Sequence, residues 1–165
     1  MSTHPFDILP LPDGAAFIFT PCPGTRGSSL SDSLQTLKDA GADGLVCMLS
    51  DAELAQLSVP SLGAGVRALG MRWFQLPVTD DAAPEARFEQ AWDAQRAALL
   101  AMLEAKQTLV IHCRGGTGRT GMMAALLLLE RGYDWQESRR LVQSVRPKAL
   151  TLAPHLDYIS ARYGI

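Results

Sequence analysis

Cys113 and Arg119 stand six positions apart in the string His112-Cys113-Arg114-Gly115-Gly116-Thr117-Gly118-Arg119-Thr120, which joins a nucleophile to the donors an oxyanion needs. A free thiol has a pKa of ~8.5 and is mostly protonated at neutral pH. A thiol facing a helix N-terminus and several inward N–H groups ionises far more readily. The glycines Gly115, Gly116 and Gly118 let the backbone of residues 114–118, with Arg114 and Thr117 between them, turn its N–H groups inward as a nest. Such a nest holds the three non-bridging oxygens of a phosphate- or sulfate-type anion. Arg119 adds a planar fork that matches two of those oxygens, a geometry lysine does not offer. Thr120 can give a hydroxyl hydrogen bond to the sulfur, and His112 is expected to hold the loop through its ring rather than to act as a base. A thiolate in line behind the bound phosphorus would attack it to form a phosphocysteine.

Glycine-rich strand-to-helix turns often bind nothing, and cysteine is common in cores. The joint requirement for His, Cys, Gly, Arg and Ser/Thr at fixed offsets is much stricter: average residue usage would satisfy it by chance in roughly one chain of this length in 10,000. The string is not a Walker loop, which needs Lys-Ser/Thr after its last glycine where Arg119-Thr120 stand.

The surrounding elements have to hold this string at a strand end. Thr108–His112 (TLVIH) is apolar and β-branched and is expected to be a central strand, with a buried helix over Gly121–Arg131 closed by Gly132. Upstream, Ala16–Thr20, Gly44–Leu49 and Met71–Leu76 read as strands. Ser29–Ala40 reads as a helix with Leu30, Leu34 and Leu37 at helical spacing. Ser50 and Glu53 have capping-box spacing, and Pro60 opens a short helix ending near Gly70. Pro77–Pro84 reads as a loop, Glu85–Lys106 as a long helix, and Asp134–Ser144 and Thr151–Tyr163 as two more helices. Alternation of this kind implies an α/β sandwich, with a mostly parallel central sheet of about four to five strands flanked by helices and the glycine loop at its carboxyl end.

The chain has 165 residues, which fits one domain spanning 1–165; 47% are hydrophobic and 19% charged, so a real core is expected. A net charge of −2 gives no bulk field for nucleic acid or a membrane surface, so neither is expected as a partner. The longest apolar run, Met122–Leu129, is too short to span a bilayer, and no signal-peptide pattern opens the sequence. Three cysteines, Cys22, Cys47 and Cys113, argue against a disulfide framework and for a reducing, cytoplasmic setting. No Cys/His spacing suggests a metal site, and no cofactor is expected.

The loop resembles the Cys-x5-Arg signature of the protein tyrosine phosphatase superfamily. In order along roughly residues 16 to 163, further segments resemble the kinase-associated phosphatase (cyclin-dependent kinase inhibitor 3) family of dual-specificity phosphatases. These are Pro21-Cys22-Pro23-Gly24, Glu53-Leu54 with Val59-Pro60 and Leu62, Pro77-Val78-Thr79-Asp80 with Pro84, and Ala149-Leu150. The resemblance implies a dual-specificity-phosphatase fold and a general acid on the loop before the long helix, which falls on Asp80, with Asp81 as its neighbouring rival. A leaving alkoxide or phenolate needs such a proton donor. Many relatives carry a glutamine early in the final helix that helps place the hydrolytic water; His155 stands at the matching position and is read as an exposed helix residue. No segment resembles the phosphotyrosine-recognition loop of large tyrosine-specific enzymes, which implies a shallow pocket open to phosphoserine and phosphothreonine as well. Arg114 is the only basic residue among the variable loop positions, which favours a phosphorylated protein or a small phosphate ester over a phosphoinositide.

Competing readings are a non-catalytic phospho-binding module, a phosphatase for a small-molecule or lipid phosphate, and another Cys-loop enzyme such as a sulfurtransferase or arsenate reductase. Presence of Cys113, Arg119 and Asp80 together favours turnover on a phosphomonoester. Arg26 and the basic run Arg139, Arg140, Arg146 and Lys148 read as solvated, Cys22 and Cys47 as bystander thiols, and Trp73, Trp92 and Trp135 as core packing.

Overall fold

The structure is a computed structural model and describes residues 3–165. Five strands form one sheet: β1 (Asp7–Pro10), β2 (Ala16–Thr20), β3 (Gly44–Cys47), β4 (Arg72–Gln75) and β5 (Thr108–His112), in the spatial order β1-β2-β5-β3-β4. The strands β2, β5, β3 and β4 are mutually parallel, because a helical crossover separates each from its neighbour in sequence. Parallel strands covered on both faces read as continuous apolar runs. GLVC in β3 is buried throughout, and so is LVIH after the first residue of β5. Last in sequence among the strands, β5 inserts between β2 and β3, with Thr20 and Cys47 both in register with His112. The glycine loop therefore leaves from the middle of the sheet's carboxyl edge, where ligands bind in such sheets.

The helices are α1 (Leu30–Asp39), α2 (Asp51–Gln56), α3 (Leu62–Ala68), α4 (Ala86–Glu104), α5 (Gly118–Glu130), α6 (Trp135–Val145) and α7 (Ala153–Tyr163). Local chemistry starts several of them: Ser29, Ser50 and Asp134 each accept a hydrogen bond from the backbone N–H three residues on, at 3.0, 3.2 and 2.8 Å. Both α4 and α5 pack on β5, and α6 packs on α5 and on β1. Residues 122–128 of α5 are all buried, so this helix is enclosed rather than amphipathic. The buried hydrophobic side chains form one cluster, which includes Trp92, while Trp73 and Trp135 pack against its margin.

Three sequence expectations need adjustment. The strand β1 was not anticipated. It is a short edge strand antiparallel to β2, holding an exposed Ile8 and ending in Pro10, a residue edges tolerate. A Pro-Asp-Gly turn links it to β2, with Ala15 N–H donating to Asp13 Oδ1 at 3.0 Å. The helix after the glycine loop begins at Gly118 rather than Gly121, since Gly121 N–H already reaches Thr117 O at 2.8 Å. Strand and short-helix bounds elsewhere shrink by one to two residues, within the fraying expected at element ends.

Two buried positions make measurable demands. A Cβ on Gly121 would lie 2.5 Å from the Ala149 Cβ and 3.2 Å from Val142 Cγ1, so α5 meets the segment before α7 at close range. Neither neighbour is flexible, and Gly121→Ala should lower the unfolding free energy by about 1–3 kcal/mol in urea titrations. His112 is fully buried, and burial pushes its ring pKa down to about 4 against the opposing pull of the Cys113 carbonyl. The unfolded chain takes up that proton near its ordinary value of 6.5 and the folded chain does not. Stability is therefore complete above about pH 6.5 and should decline by about 3 kcal/mol as pH falls toward about 4. Urea midpoints across that window should show the decline, and His112→Asn should flatten it.

Candidate active site

The loop after β5 places Cys113 at its base. The sulfur is nearly enclosed, with the residue 4% exposed, and it accepts hydrogen bonds from Gly116 N–H at 3.2 Å and Thr120 Oγ1 at 3.3 Å. Both donors are ones that stabilise charge on sulfur. Gly116 has φ +82°, and a Cβ there would sit 2.6 Å from the Thr20 carbonyl carbon and oxygen. This glycine is required twice over, by the left-handed backbone and by the closeness of the end of β2. The His112 ring donates through Nδ1 to the Cys113 carbonyl at 2.9 Å, since a carbonyl can only accept, and so ties the strand end to the loop. Arg114 and Gly115 are exposed on the rim, while the Arg114 carbonyl accepts from Cys22 N–H at 3.0 Å.

Arg119, in the first turn of α5, is 1% exposed. A buried guanidinium must be paired. Its Nη1 donates to both carboxylate oxygens of Glu53 at 3.0 Å and to the Val78 carbonyl at 2.9 Å. All three bonds fall on one nitrogen, so the Nε–Nη2 edge keeps its capacity for an oxyanion. Nε is buried without a hydrogen bond, and the Asp80 carboxylate lies 3.6 Å from it, beyond hydrogen-bond range. Asp80 itself is exposed on the Thr79–Ala82 turn, which Ala82 N–H closes onto Thr79 O at 3.1 Å. The structure thus brings Thr120 against the Cys113 sulfur and Asp80 beside Arg119; Asp81 occupies the next turn position with φ +58°.

Four residues here were misjudged from sequence. Ser50 caps α2 through the Glu53 N–H as its spacing suggested, but the Glu53 carboxylate does not return to the cap. It crosses to Arg119, a pairing between distant positions that local spacing cannot encode. Arg146, read as part of a solvated face, instead braces the loop. Its Nε donates to Gly116 O at 2.8 Å and Nη2 to Phe19 O at 3.2 Å, while Nη1 pairs with Asp7 at 2.7 Å. Arg139 likewise lies over the Trp135 ring and reaches Leu150 O at 3.3 Å. His155, read as exposed, is 1% exposed, because the first turn of α7 packs against the start of α5.

Cys22 and Cys47 are buried free thiols whose pKa burial pushes up to about 12, and the negative charge near Cys113 and Glu53 adds to the rise at Cys22. Among the described residues no cluster of three or more His, Cys, Asp or Glu is arranged to hold a metal ion, and no helix is long and apolar enough to cross a membrane.

Comparison with known proteins agrees with this geometry. Over 98% of the chain, the fold superposes on 96% of kinase-associated phosphatase carrying serine at its catalytic cysteine, with a TM-score of 0.82 and 18% identity. Tk-PTP in its active form matches with a TM-score of 0.67 and 24% identity over 88% of this chain and 89% of that one. PTPMT1 in complex with PI(5)P matches with a TM-score of 0.65 and 15% identity over 88% of each chain. At these identities the likeness is one of fold. No curated protein matches the sequence. Residues 26–155 match the family described as Swiss Army Knife protein, DSP-PTPase phosphatase domain (PTP-SAK), and the chain belongs to that family, as a phosphatase with the dual-specificity fold.

Proposed function

We propose that the protein hydrolyses phosphomonoesters of proteins, on tyrosine or on serine and threonine, through a phosphocysteine on Cys113. The observation that carries this reading is the convergence of two donors on one enclosed sulfur, in a loop that ends at a buried arginine whose Nε makes no hydrogen bond. In the first step a sulfur lone pair forms the S–P bond while the ester P–O bond breaks. The electron pair leaves with the oxygen, which takes a proton from the Asp80 carboxyl. In the second step a water oxygen attacks phosphorus and gives its proton to the Asp80 carboxylate, and the S–P pair returns to sulfur. The Thr120 hydroxyl supports the departing thiolate, and the backbone N–H groups of residues 114–118 with Arg119 hold the charge on the phosphoryl oxygens. His112 keeps the loop in place through the Cys113 carbonyl.

The substrate reading rests on the rim. Asp80, Arg114 and Gly115 are all exposed, so the entrance is open and shallow. Arg114 is the single basic side chain among the variable loop positions, which suits a phosphorylated side chain better than a multiply charged inositol headgroup. Chemistry that depends on a reduced thiol fits a cytoplasmic setting, and the full 1–165 chain is taken to act as one phosphatase domain.

Cys113→Ser should abolish hydrolysis of p-nitrophenyl phosphate without weakening phosphate or vanadate binding by the loop. Turnover should survive EDTA. Asp80→Ala should reduce kcat for a poor leaving group such as phenol by about 10²–10⁴-fold, with much less effect for p-nitrophenol; equal losses would remove Asp80 from the acid role. A phosphopeptide panel would then rank tyrosine against serine and threonine.

A further inference from the structure

The Asp80 turn has little to hold it. Both Asp80 and Asp81 are exposed, and Asp81 lies in the left-handed region at φ +58°, a conformation that a non-glycine residue keeps only when its surroundings impose it. Thr79 Oγ1 accepts from Arg87 at 3.0 Å on the outer side. On the inner side sits the His155 ring. It is 1% exposed, its Nε2 is buried without a hydrogen-bond partner, and its Cε1 lies 3.8 Å from the point where a Gly118 Cβ would be. The Ala82 carbonyl, the Asp81 and Asp80 carboxylates and the Arg119 guanidinium lie close enough to the ring to act on its charge. One imidazole is therefore wedged between the turn that carries the acid and the turn that begins the oxyanion cradle.

We propose that His155 is a positioning residue that ties the Thr79–Ala82 turn to the first turn of α5 and so sets the place of Asp80 beside Arg119. The argument is one of packing and hydrogen bonding. Ala82 closes the turn by donating to Thr79 O through the peptide before it, and a His155 ring N–H turned to the Ala82 carbonyl would hold the peptide after it. The aromatic edge against Gly118 fixes the distance between that peptide and α5. Burial lowers the ring's pKa from its ordinary 6.5, so at neutral pH the imidazole is uncharged and does not compete with Arg119 for Asp80. A displacement of about 1 Å at a reacting group can cost about 10²-fold in rate, which sets the scale of what such a wedge controls.

This inference rests on the reading of Cys113 and Asp80 above, and it fails apart from that reading. The experiment compares wild type, His155→Ala, His155→Gln, Asp80→Ala and the Asp80→Ala/His155→Ala double variant on phenyl phosphate and p-nitrophenyl phosphate, with Cys113→Ser as control. His155→Ala should lose about 10–10²-fold on phenyl phosphate and under about threefold on p-nitrophenyl phosphate. His155→Gln, which keeps an N–H for the Ala82 carbonyl, should recover most of the loss. If His155 acts through Asp80, the double variant should be no slower on phenyl phosphate than Asp80→Ala alone. Multiplied losses in the double variant, or equal losses on both esters, overturn the proposal. A pre-steady-state burst of p-nitrophenol in His155→Ala with an unchanged leaving-group ratio also overturns it, because that result puts the residue in hydrolysis of the intermediate. Activity that persists in Cys113→Ser would instead strike the function itself.

Discussion

A guanidinium buried to 1% exposure is the constraint around which the rest of this site is arranged. Isolated charge in a protein interior is unfavourable by several kcal/mol, so Arg119 has to be met by an anion and by further acceptors. Glu53 supplies the anion from α2 and Val78 the carbonyl from the strand-to-helix connection after β4. Together they occupy one nitrogen and leave the other edge toward the loop. The pairing also fixes which parts of the chain must meet: α2, the segment before the Asp80 turn, and the start of α5 are locked at one point. An approaching phosphate would then meet a guanidinium already oriented, with no rotameric freedom left to lose on binding.

Around that point the work is divided between backbone and side chains. The sheet delivers β5 to the centre of its carboxyl edge, and the loop turns the Gly116 N–H onto the Cys113 sulfur because Gly116 admits both a positive φ and contact with Thr20. Charge is concentrated in a few side chains, while His112, neutral through burial, contributes direction without charge. Cys22 and Cys47 sit on the same sheet edge, and burial pushes the pKa of both thiols up to about 12.

Much of this was legible in the sequence where the signal is local. The apolar TLVIH run, the glycine string and the enclosed MMAALLLL helix give strand, loop and helix in order, and the alternation of elements gives the parallel sheet. Signals that depend on distant partners were not. Glu53 looked like half of a capping box and is a charge partner for a residue far along the chain; the cap it suggested is real, but uses its N–H alone. Arg146 looked solvated because its acceptors, three backbone carbonyls and Asp7, carry no sequence signature. The strand β1 escaped because an edge strand of four residues with a terminal proline lacks the alternation that marks longer strands. His155 was misjudged because its burial comes from the packing of α7 onto α5, which no periodicity within α7 announces.

The span of Arg146 has a consequence for how the molecule opens. One side chain clasps the amino-terminal edge strand through Asp7, the neighbouring strand through Phe19, and the anion loop through Gly116. Edge strands are ordinarily the first parts of a sheet to fray, on their own and at little energetic expense. Here, peeling β1 away would strip one contact from the cation that also braces the Gly116 peptide. Amide protection in β1 and in the loop a hundred residues later should therefore rise and fall together, so that the margin of the sheet reports on the order of the glycine loop.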